Sequence, residues 1–139
     1  MRVLFDTNVI MDFIVERGNF STHAQKAISI CMDKELDCCI AAHTIPNLHY
    51  ILRKQLPNTQ RQDILLEICQ MFTVVGIDAI KLISALQNND FTDFEDCLQT
   101  ECAKDFGADY IVTRNIKDFL SSDVPAIEPV DFVQQYVLK

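Results

Sequence analysis

Short, solidly apolar runs alternate along this chain with longer stretches in which apolar residues recur every three or four positions, and the alternation predicts the elements. Arg2-Val3-Leu4-Phe5 reads as a buried strand that stops abruptly at Asp6-Thr7-Asn8. Val9 to Ile14 starts a short helix, residues 16–19 interrupt it, and Ala24, Ala27, Ile28, Ile30 and Cys31 carry a second helix to Met32, with Ser21 or Thr22 as its N-cap. Leu36 to Ala42 holds the next buried strand, Thr44 caps the helix from Pro46 to Gln55, and Arg61 to Met71 is amphipathic through Ile64, Leu65, Ile68, Cys69 and Phe72. A third strand spans Phe72 to Val75, and a helix with apolar Ile80, Leu82, Ile83 and Leu86 follows from Asp78 to Gln87.

In the second half, Thr92 and Glu95 satisfy the capping-box pattern for a helix that reaches Phe106, where Gly107 takes the usual C′ role. Asp109 to Thr113 is a fourth strand, Pro125-Ala126-Ile127 a short edge strand, and Pro129 to Tyr136 a closing helix. This order of strands and helices predicts an α/β fold, a three-layer α/β/α sandwich around a mostly parallel sheet. Residues 1–139 are expected to form a single domain.

Composition sharpens that picture. Hydrophobic residues make up 49% of the chain and charged ones 23%, with three Gly and four Pro, which excludes disorder. No apolar run approaches the roughly 20 residues of a membrane span, so the expectation is a cytoplasmic protein without a membrane partner. None of the six cysteines forms a CxxC pair, so they are read as reduced core fillers. The net charge of −8 argues against broad electrostatic attraction to nucleic acid, yet carboxylates that converge on divalent metal would offset part of it.

Candidate chemistry gathers where strands end. In parallel α/β sheets ligands bind beyond the carboxyl ends of strands, and Asp6 sits at such an end, although Asp6 or Thr7 could equally serve as a helix cap. Asp96 shares a helix face with Thr100 and Ala103 and is expected to point toward protein. Its acidic neighbours in the first turn need only satisfy the helix dipole. The fourth strand also ends in polar residues, Thr113-Arg114-Asn115, followed by Asp118. Hard cations such as Mg²⁺ and Mn²⁺ take oxygen ligands, and Asp6, Asp96 and Asp118 meet that requirement. Arg114 and Lys117, with Arg53 and Lys54, are candidates for phosphate contact or else ordinary surface charge.

Three blocks, DTNVIMD, DFEDCLQTECA and ADYIVTRNIKDF, resemble in order and spacing the motif blocks of PIN domains, the ribonuclease fold of VapC-type toxins. The resemblance implies a Mg²⁺- or Mn²⁺-dependent endoribonuclease of toxin type, with RNA as substrate, an antitoxin-like protein as partner and a homodimer as a further assembly. It places the first acid at Asp6, the helix-borne acid at Asp96 and the last polar position at Asn115 or Asp118. Asn8 and Thr113 match positions that orient the acids. One departure stands out: Asn47 occupies the place of the family's second acid, normally Glu, and an amide oxygen is a neutral, poorer metal ligand. Such a site holds one metal weakly, recruits Asp93 or Asp118, or is inactive; His43 and His49 flank the same helix as conceivable substitutes. The alternatives are a catalytically weakened module that binds RNA or a protein partner, and a haloacid-dehalogenase-like phosphatase, which would need Asp where Asn8 stands.

Overall fold

A computed structural model describes residues 1–16 and 18–137. Five strands, β1 (Arg2–Phe5), β2 (Asp37–Ala41), β3 (Thr73–Val75), β4 (Tyr110–Val112) and β5 (Ala126–Ile127), form one sheet in the order β3-β2-β1-β4-β5. All four pairings are parallel, with Leu4 opposite Cys39 on one side and Ile111 on the other. Purely parallel sheets are covered on both faces, which is why β1 and β2 read as continuous apolar runs.

Strand pleating sends alternate side chains to opposite layers. Val3 and Phe5 enter a core shared with α1 (Thr7–Ile14), α2 (Asn19–Asp33), α3 (Thr44–Ile51), α4 (Asn58–Met71) and α7 (Pro129–Val137). Leu4 enters the opposite core, which is closed by Cys102 and Ala103 of α6 (Phe94–Phe106) together with Phe119 and Val124. The remaining helix, α5 (Ala79–Gln87), packs Ala85 against Cys97 and Leu98 of α6, outside the sheet. Its apolar positions consequently face outward: Ile80, Ile83 and Leu86 are exposed. Among the described residues no helix is long and apolar enough to cross a membrane.

Several local expectations shift. The polar break at 16–19 includes residue 17, which lies outside the described residues; α2 begins at Asn19, earlier than expected. Ser21 is no cap, because it is buried one turn inside α2, where its hydroxyl donates to the Val15 carbonyl at 3.0 Å. Thr44 likewise lies within α3 and is fully buried. Asp93 rather than Thr92 caps α6, accepting from the Asp96 amide at 3.0 Å. Both residue types cap well, and a one-residue difference in where the chain turns decides between them. Gly107 adopts the left-handed conformation (φ 73°) expected of it. All six cysteines are free thiols and five are buried; Cys69 is exposed, because α4 turns only Leu65 and Ile68 fully inward.

Phe5 is fully buried and meets Phe72 edge to face, ring centroids 5.6 Å apart. Phe5→Ala should therefore lower unfolding free energy by about 3–5 kcal/mol in denaturant titrations, without a change of slope.

Candidate active site

The strand order reverses at β1: the chain leaves β1 toward β2 on one side and returns to β4 on the other. Connections from the carboxyl ends of two such neighbouring strands diverge and leave a crevice between them. Asp6 stands at the mouth of β1, with its amide still bonded to the Val112 carbonyl of β4 at 3.0 Å. Its side chain is 5% exposed, so a dry carboxylate there needs donors. It has three: Oδ1 accepts from the Thr7 amide at 2.8 Å, and Oδ2 from the Asn8 amide nitrogen and the Thr113 hydroxyl, each at 2.8 Å. Thr113 is in turn set by the Asn115 amide, which donates to its oxygen at 3.0 Å. Asn8 accepts from the Arg114 amide at 3.3 Å. Asp6 thus caps α1 and also presents a fixed carboxylate.

Burial raises the Asp6 pKa above its ordinary value against the pull of these hydrogen bonds, and the charge of Asp118 adds to the rise. Asp96, at the start of α6, is pushed up to about 7, first by burial and then by the charges of Asp6, Asp93, Asp118 and Glu95. The acids are therefore near enough to oppose one another's ionisation.

Asp6 and Asp96 line one cavity of about 410 Å³, together with Asn8, Asn47, Asn115 and Glu95. Among the described residues neither Lys nor Arg lines it. Asn47 donates to Glu95 Oε2 at 3.3 Å, so a carboxylate stands opposite the amide after all, carried by α6. On the cavity floor Gln99 donates to the hydroxyls of Thr7 (3.1 Å) and Thr44 (3.3 Å), which bond each other at 2.9 Å. The Gln99 carbonyl oxygen and both ring nitrogens of His43 are buried without a hydrogen-bond partner. Burial also lowers the His43 pKa, favouring the neutral ring.

These oxygen donors suit a hard divalent cation. Among the described residues no three His, Cys, Asp or Glu side chains stand at metal-coordinating separation. Mg²⁺ does not require three, since it commonly keeps several waters and binds through one or two carboxylates. The donor set of Asp6 and Asp96, with no Lys or Arg lining the cavity among the described residues, fits such an ion.

A model of the PIN domain matches residues 2–117. The chain belongs to the PIN-domain family. It is 29% identical over 140 residues to "Ribonuclease VapC1" of Aquifex aeolicus (strain VF5), covering 97% of this chain and 95% of that protein. Its fold is similar to that of VapBC2 from Rickettsia felis bound to a DNA fragment from their promoter, with a TM-score of 0.69 at 18% identity over 92% of this chain and 98% of that one. A toxin-antitoxin complex from Klebsiella pneumoniae gives a TM-score of 0.66 at 20% identity, over 91% and 97%.

Within this PIN domain the other expected site residues are dispersed. Asp93 serves as the α6 cap and does not line the cavity, and Asp118 and Lys117 line a neighbouring depression with Asn115 and Glu128. Arg114 lines that depression too but not the acid cavity, and its guanidinium grips buried Asp12 in a two-point ion pair and stacks on Phe20 at 4.2 Å. Arg53 lies over the Tyr50 ring at 3.8 Å, while Lys54 is exposed in a 3-10 turn. His49 borders an apolar groove between α3 and α4, outside the acid cavity, whereas His43 lines it. Sequence reasoning missed Glu95 and Gln99. The signal for Gln99 was its place three residues after Asp96, which puts both on one helix face.

In the unfolded chain Asp96 releases its proton near pH 3.8 and in the folded chain near 7. Between these values the folded form holds the extra proton, so stability falls as pH rises through that window. Asp96→Asn removes the penalty. In chelator it should stabilise the fold at pH 8 by on the order of 1 kcal/mol, once solvent screening of a half-exposed group is allowed for. At pH 5 the same thermal melts should show little difference from wild type.

Proposed function

We propose that this PIN domain is a toxin-type endoribonuclease that hydrolyses RNA phosphodiesters with Mg²⁺ or Mn²⁺. The observation that carries the reading is the pairing of Asp6, fixed by three hydrogen bonds, with Asp96 in a cavity that, among the described residues, no Lys or Arg lines. Similarity to a protein named as a ribonuclease supports RNA as the substrate, and similarity to toxin-antitoxin complexes supports an antitoxin as the partner. The membership of the family displaces the phosphatase alternative, and Asn8, where that chemistry needs Asp, is committed to Asp6.

In this reading Asp6 and Asp96 hold the cation, with Asp118 and Asp93 adding negative potential from the edge. A divalent ion there would polarise a phosphoryl oxygen and lower the pKa of bound water. Thr113 and Asn8 keep the Asp6 carboxylate from rotating, so its free lone pairs face the cavity. Asn47 orients Glu95 and leaves that position neutral. The neutral amide also favours a second reading, a weakened module that binds RNA without cutting it.

Asp6→Asn should reduce cleavage of a labelled RNA in Mn²⁺ by at least about 100-fold, because it removes a ligand charge while keeping the shape. Asn47→Glu sets a second carboxylate against Glu95, so it should loosen the metal-free fold and tighten Mn²⁺ binding in calorimetry. Saturable binding of Mn²⁺ and RNA by wild type with no cleavage would favour the weakened module; no binding of either would defeat the nuclease reading.

A further inference from the structure

The acid cavity has a second side that metal chemistry does not use. Tyr50, at the end of α3, lines it while 63% exposed, and Ile51 beside it is 41% exposed. An exposed aromatic face beside a polar cavity is suited to stacking on a flat ring of the cavity's occupant. Tyr50 is also braced: the Arg53 guanidinium lies 3.8 Å from the ring centroid, and its Nη1 donates to the Tyr50 carbonyl at 2.8 Å. That brace sets a positive charge against the ring, beside a cavity lined by Asp6, Glu95 and Asp96. Asn8, Asn47 and Asn115 line the same cavity, so its occupant should be polar at its edge as well as flat. A nucleobase has both properties, and stacking on an aromatic face is how single strands are commonly held.

We propose that Tyr50, braced by Arg53, is the stacking platform for a nucleobase next to the scissile phosphate. The inference rests on the nuclease reading. A base locked in a duplex has its faces covered by its neighbours and cannot reach Tyr50 without unstacking. Arg53 serves as a positioning residue, holding the ring and placing charge where the strand's phosphates pass.

The test compares wild type, Tyr50→Ala, Tyr50→Phe and Arg53→Gln in Mn²⁺ on a short labelled RNA, presented single-stranded and annealed to its complement. Tyr50→Ala should raise KM for the single strand by on the order of tenfold or more, the range of one lost base stack, with the loss in KM rather than kcat. Tyr50→Phe should restore most of that loss, Arg53→Gln should fall between, and the duplex should be a poor substrate throughout. The chain has no Trp and three Tyr, so quenching of tyrosine emission by the single strand, absent in Tyr50→Ala, gives a second readout. Unchanged KM in Tyr50→Ala with normal cleavage, or equal cleavage of duplex and single strand, would overturn the stacking site and leave the nuclease intact. Wild type that neither binds nor cuts either RNA would overturn both.

Discussion

Everything at the working end of this molecule depends on holding the Asp6 carboxylate in a dry place at the end of the central strand. An ionised carboxylate resists leaving water unless its oxygens are given donors. Here the three donors come from two parts of the chain: the Thr7 amide and Asn8 side chain in the first turn of α1, and Thr113 at the end of β4. The Thr113 bond spans 107 positions of sequence, so the site exists only once β1 and β4 have paired. Folding and the assembly of the site are in that sense one event.

The same connections reach outward. Arg114, next to Thr113, is clamped to buried Asp12 of α1, so the segment that positions Thr113 is tied to the helix that Asp6 caps. On the other flank the Gln99, Thr7 and Thr44 network links α6, which carries Asp96, to the ends of β1 and β2. Asp6 is pinned by its hydrogen bonds, and burial first, then the charges of Asp6 and the neighbouring acids, push Asp96 up to about 7. An arrangement held against its own repulsion is costly when empty and well suited to a cation.

Much of this was legible along the chain. Strands covered on both faces are unbroken apolar runs, so their abrupt ends at Asp6 and Thr113 could be read directly, and with them the parallel sheet. Asp96 stood out because its neighbours on the helix face are apolar or small. Direction was the illegible part. Arg114 follows a strand end beside the acids, yet local sequence does not say which partner its side chain meets, and it pairs with buried Asp12. The helical period of α5 announced an apolar face without saying what would meet it, and most of that face meets solvent. Asn47 read as a loss of charge at the site, whereas Glu95, from a helix nearly fifty residues later, stands against it.

The central claim is that Asp6 and Asp96 together form a cation site whose empty state is held partly protonated. Calorimetric titration of Mn²⁺ in two buffers of different ionisation enthalpy tests it most directly, because a ligand carboxyl must lose its proton to bind metal. At pH 6, below the Asp96 pKa of about 7, binding should release roughly one proton per cation, and at pH 8 almost none. Saturable binding with no proton release at pH 6, or no saturable binding at either pH, would contradict the account.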